Sequence, residues 1–68
     1  MKCVSYNKLW KLLIDRRLTK TQLRVDAEFS TSTLAKLTKN QTVSLNVIVK
    51  ICELLQCDIS DVMEVVNE

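Results

Sequence analysis

TKTQLRVDAEFSTSTLAKLTKN, residues 19–40, is the stretch whose reading decides the fold. It reads as two short helices joined by a tight turn. Thr19-Lys20-Thr21-Gln22 fits a capping box, with Gln22 reaching back to the Thr19 backbone N–H. The helix it opens is expected to bury Leu23 and Ala27 and to stop near Glu28, after which Phe29 enters the core from the turn. Ser30 is placed to cap the second helix, Thr31–Lys39, and Asn40 to end it in a left-handed conformation. Leu34 and Leu37 then point inward. The outward face is short-chained and uncharged at Thr31, Ser32 and Ala35, and cationic at Lys36 and Lys39. Helices this short are marginal alone, so they need support from the segments on either side.

Those segments read as helical too. Ser5 is a plausible cap for a first helix running to about Arg17, and Tyr6, Leu9, Trp10, Leu13 and Ile14 repeat as one buried stripe. Arg16 and Arg17 at its end complement the helix dipole or contact phosphate. After the polar loop Gln41–Val43, Ser44 caps a longer helix, Leu45–Leu55. Its apolar residues exceed one face, since Val49 and Leu54 fall off the Ile48/Ile51/Cys52/Leu55 stripe. Asp58 and Asp61 open a last short helix carrying Ile59, Val62, Met63, Val65 and Val66. This surplus of apolar residues suits coverage by a second subunit, with Leu54, Ile59, Met63 and Val66 as the candidate homodimer interface. A tighter wrap around the core is the alternative.

Length and composition agree with helices. Sixty-eight residues support one domain at most, expected to span 1–68. Hydrophobic residues make up 47% with one Trp, one Tyr and one Phe, so the core must be aliphatic. Gly and Pro are both absent, which argues against hairpins and sheets. Cys3, Cys52 and Cys57 include no CxxC pair and there is no histidine, so core thiols are expected rather than a disulfide framework or a metal site. No cofactor and no small-molecule ligand are expected. No apolar run approaches the ~20 residues that span a bilayer, and MKCVSYNK turns polar too early for a signal peptide. A cytoplasmic protein without membrane contact is the expectation.

Charge is unevenly spread. Residues 1–40 carry nine Lys/Arg against Asp15, Asp26 and Glu28, a net of +6. Residues 41–68 carry Lys50 against Glu53, Asp58, Asp61, Glu64 and Glu68, a net of −4. The basic part is the natural partner of a polyanion. A short, hydroxyl-bearing and cationic helix face can lie close against base-pair edges, so double-stranded DNA is the expected partner.

The segments LTKTQLRVDA, FSTSTLAKL and VSLNVIVKICELLQCDISDVM resemble the Cro/cI-type helix-turn-helix family, also called the Xre family, over about Tyr6 to Val65. They are similar in particular to very short regulators of Gram-positive bacteria and their mobile elements, including VanU-type regulators of glycopeptide-resistance clusters. The resemblance implies an all-α, compact five-helix lambda-repressor-like DNA-binding domain with the helix-turn-helix at the second and third helices. It places Lys20 and Thr21, and Lys39, Asn40 and Thr42 after the third helix, at phosphates. It turns Thr31, Ser32, Ala35 and Lys36 to the major groove, and assigns Leu23, Ala27, Leu34, Leu37, Leu45, Ile48, Ile51 and Leu55 to the core. The sequence departs from the family where Glu28 and Gln56 replace turn glycines, and where Leu13 and Thr38 replace a buried Arg–Glu pair. The base-facing positions also lack the Gln, Asn and Arg that make bidentate contacts.

These features imply a sequence-specific transcriptional regulator, a repressor or, by touching RNA polymerase, an activator. The rival is a protein-interaction or antitoxin-like module whose helix-turn-helix does not read DNA. An enzyme is not expected, because no Gly-rich phosphate loop and no nucleophile with a base at motif spacing are present.

Overall fold

The computed structural model describes residues 1–67 of the chain. Four α-helices form its body: α1 (Asn7–Asp15), α2 (Lys20–Asp26), α3 (Thr31–Thr38) and α4 (Leu45–Leu55). A single 3₁₀ turn, Ile59–Asp61, follows. The two ends of the chain form a sheet, with β1 (Lys2–Ser5) antiparallel to β2 (Glu64–Asn67). Lys2 lies opposite Asn67, Val4 opposite Val65 and Ser5 opposite Glu64.

The expected fifth helix is therefore replaced, and the fold is mostly rather than wholly α-helical. Asp58 and Asp61 do make a reciprocal capping box, but it nucleates one 3₁₀ turn only. Beyond it Val65 and Val66, β-branched residues that favour an extended chain, find the N-terminal strand as a partner. That pairing also moves the start of the first helix. Ser5 is the last residue of β1, so α1 begins at Asn7 with Tyr6 in the cap position and no side-chain cap bond.

The core is built from Tyr6, Leu9, Leu13, Leu23, Ala27, Phe29, Leu37, Ile48, Ile51, Leu55 and Val62, with Leu34 and Val4 packed half-buried against it. Two expected core residues lie outside. Ile14 is 74% exposed because it falls at the edge of the α1 stripe, and Leu45, in the first turn of α4, is exposed as well.

Each α-helix is closed in the same way. Arg17, Glu28, Asn40 and Gln56 all adopt positive φ, between 52° and 58°. The next residue's N–H then bonds back to a carbonyl five positions earlier: Leu18 to Leu13, Phe29 to Arg24, Gln41 to Lys36 and Cys57 to Cys52. This is the Schellman closure, normally built on glycine. The chain has no glycine, so four residues with a Cβ occupy the left-handed region.

Candidate nucleic-acid interface

The helix-turn-helix forms from local chemistry. The Thr19 side chain accepts the Gln22 N–H at 3.0 Å and opens α2. Gln22 does not complete the capping box; its side chain donates to Asp26 at 2.9 Å, one turn along the same helix. Glu28 turns the chain, Phe29 buries, and the Ser30 hydroxyl accepts the Thr33 N–H at 3.1 Å to start α3. α3 is held by Leu37, which is fully buried, and by half-buried Leu34. That anchoring leaves Thr31, Ser32, Ala35 and Lys36 together on one exposed face. Thr38, where the family's acidic partner would stand, instead bonds back to the Leu34 carbonyl at 3.0 Å, while Leu13 is buried in the core.

Lys20, Thr21, Lys39, Asn40 and Thr42 are all exposed on the segments flanking this face. Two of them have structural partners that the sequence did not suggest. The Lys20 ammonium lies 4.4 Å from the centroid of the Trp10 ring. The Asn40 side-chain oxygen accepts the Tyr6 N–H at 3.1 Å, and the Tyr6 hydroxyl donates to the Gln41 carbonyl at 2.8 Å. Tyr6 thereby clamps the turn after α3 to the start of α1. Burial raises the Tyr6 phenol pKa, opposed by a backbone hydrogen bond at Val43. No local pattern marks this contact, since the partners are 34 and 35 residues apart.

The charge asymmetry is less clean in space than in sequence. Lys8, Lys11 and Arg16 line a cleft shared with Asp15, Asp61 and Cys57, and Lys8 pairs with Glu64 at 3.6 Å. Lys8 is thus matched by the acidic end of the chain, while Lys11 and Arg16 share the cleft with Asp15 and Asp61. Lys20, Arg24, Lys36 and Lys39 remain on the helix-turn-helix itself. Of the candidate dimer residues, Leu54 and Ile59 are 38% and 44% exposed. Met63 and Val66 are half-buried, Met63 against the core and Val66 in β2.

The three cysteines are half-buried and outside any disulfide. Among the described residues, no group of three or more His, Cys, Asp or Glu could hold a metal ion. No helix among them is long and apolar enough to cross a membrane.

Comparison with known proteins bears on this arrangement directly. The chain is similar over 98% of its length to a crystal structure described as transcriptional regulator VanUg, at 55% identity and a TM-score of 0.96, covering 89% of that chain. No curated protein sequence matches it. Residues 8–68 match the Cro/C1-type HTH DNA-binding domain. With nearly the whole chain matched, and with the turn, caps and exposed α3 face in place, the protein belongs to the Cro/C1-type helix-turn-helix DNA-binding family.

Proposed function

We propose that the chain is a sequence-specific transcriptional regulator, one domain acting in the cytoplasm, that inserts the N-terminal part of α3 into the major groove. The observation that carries this reading is the α3 face itself. Thr31, Ser32, Ala35 and Lys36 are exposed together on a helix whose other side is fixed in the core. Its 55% identity to a protein described as a transcriptional regulator supports the regulatory role.

Lys36 donates to guanine O6 or N7, and the Thr31 methyl or Ala35 meets a thymine methyl. Thr31 and Ser32 hydroxyls bond a base edge or a phosphate. Lys20, Thr21, Lys39 and Thr42 contact phosphates. Asn40 shapes the turn, with its oxygen given to Tyr6 N–H, and offers its amide nitrogen to the backbone. Single-donor contacts of this kind discriminate weakly, so phosphate placement and DNA shape share the specificity.

Two copies bind a roughly palindromic site, spacing their α3 helices ~34 Å apart. The absence of a fifth α-helix among the described residues moves the proposed interface to the exposed side chains of Leu54 and Ile59, with the 3₁₀ turn and β2 beside them.

Selection of bound duplexes from a random pool at two salt concentrations tests the reading. Wild type should enrich palindromic sites with an affinity that falls steeply with salt, with a log–log slope near ~0.9 per phosphate neutralised. Lys36→Ala should weaken binding and relax base preference. If that variant keeps both affinity and preference, α3 is not the reader.

A further inference from the structure

We infer that Trp10 is a positioning residue for DNA binding, acting through Lys20. The inference rests on the DNA-binding reading above and assigns a role to a residue outside the helix-turn-helix.

The placement of Lys20 is unfavourable by local rules. It is the first residue of α2, at the positive end of the helix dipole, and no acidic residue accompanies it in that turn. Sequences break such rules chiefly at functional positions. A free lysine there would also carry several rotatable bonds, so fixing its ammonium on a phosphate would cost conformational entropy.

The fold supplies a counterweight. Arg17, at φ 57°, reverses the chain after α1, and the Leu18 N–H bonds back to the Leu13 carbonyl at 2.9 Å. This reversal carries Lys20 back over α1, with its ammonium 4.4 Å from the centroid of the Trp10 ring. Trp10 is half-buried and packs against the core, so its ring is a fixed surface. Indole is the strongest of the aromatic faces for a cation. The contact offsets the dipole repulsion and holds the ammonium on one side only, leaving its outward N–H groups to a phosphate. Trp10 thus pre-orders a backbone contact at the edge of the helix-turn-helix without touching DNA.

A double-substitution cycle tests this with the full chain and a fixed duplex chosen from the selection. Lys20→Met should lower the log–log salt slope by ~0.9, one phosphate contact. Trp10→Leu should weaken binding about two- to five-fold in the wild-type background and have no effect in the Lys20→Met background. Trp10→Phe, which keeps a ring, should lose less than Trp10→Leu and provides the same comparison should the leucine variant fail to fold. Trp10 is the only tryptophan, so the emission of the DNA-free protein should change in Lys20→Met. Equal losses in both backgrounds, no loss in either, or unchanged emission would overturn the role of Trp10 while leaving DNA binding intact. A wild-type chain that binds no duplex would instead sink the DNA reading, and this inference with it.

Discussion

Replacing Gln56 by glycine should make the protein more stable, although it removes a side chain and adds no contact. Gln56 closes α4 at φ 52°, where a Cβ crowds the following carbonyl oxygen. That crowding costs ~1–2 kcal/mol, and glycine removes it. Glycine also frees the unfolded chain, which returns ~0.4–1 kcal/mol of the gain. The net stabilisation is then ~0.5–1 kcal/mol. Unfolding entropy of ~2.1 cal/mol/K per residue gives about 0.14 kcal/mol/K for 68 residues, so Tm should rise by ~4–7 °C. Glu28→Gly should behave alike, because Glu28 sits at φ 58° and makes no ion pair among the described residues. Asn40→Gly supplies the contrast. Asn40 has a similar φ, but asparagine tolerates that region well, and its side chain accepts the N–H of buried Tyr6. Leaving that donor unmet costs ~1–3 kcal/mol, so Tm should fall. Thermal unfolding followed by circular dichroism measures all three. A fall in Tm for Gln56→Gly and Glu28→Gly, comparable to that of Asn40→Gly, would refute the argument from backbone strain.

Other perturbations probe the remaining parts. Tyr6→Phe should cost ~0.5–1.5 kcal/mol in urea unfolding, the worth of the hydroxyl's bond to the Gln41 carbonyl; an unchanged midpoint would show that the clamp is idle. Leu37→Ala should cost ~2–5 kcal/mol, a large share of the stability of so small a chain, because Leu37 alone among the α3 residues is fully buried. If the variant melts within a degree of wild type, α3 is not anchored as described. Stability should also decline in alkali. Burial raises the Cys52 thiol above its ordinary 9.0 and the Tyr6 phenol above its ordinary 10.0, each staying neutral longer in the folded state. The unfolded chain therefore releases those protons first, so stability holds below pH 9 and drops as pH climbs through 9 and then 10. Tyr6→Phe should flatten the part above pH 10, and a flat wild-type profile would contradict both assignments.

What could be read without the structure was whatever is encoded within one turn of helix. Thr19, Ser30 and Ser44 each cap the helix that their neighbours predict, and the bounds of α4 coincide with those expected. Left-handed Asn40 was legible as the residue that ends an apolar repeat, whereas Glu28 and Gln56 were legible only through the family resemblance, because they stand where its members carry turn glycines. Arg17 was missed for an opposite reason: its charge suits a helix C-terminus, which hid the fact that it lies just past one. The strands were missed because each is four residues long and depends on a partner at the other end of the chain. The exposed α3 face followed from the positions of Leu34 and Leu37. The contacts that brace its surroundings, Tyr6 with Asn40 and Trp10 with Lys20, join residues with no shared periodicity.

The pairing of β1 with β2 has a kinetic consequence. Helical turns and the loops between neighbouring helices close within nanoseconds to microseconds, whereas Lys2 and Asn67 must find each other from opposite ends of the chain. The entropy of closing so long a loop is repaid only once the helical body has already brought those ends near. The sheet is then a latch, shut after the rate-limiting barrier is crossed. Weakening it, for example by Val65→Gly opposite Val4, should leave the refolding rate nearly unchanged and quicken unfolding, the signature of a contact absent from the transition state. Stopped-flow chevrons with superimposed unfolding limbs but a slowed folding limb would place the latch in the nucleus instead. A chain that locks last also opens first, so the residence time of the folded state is set at its two ends, far in sequence from the exposed face of α3.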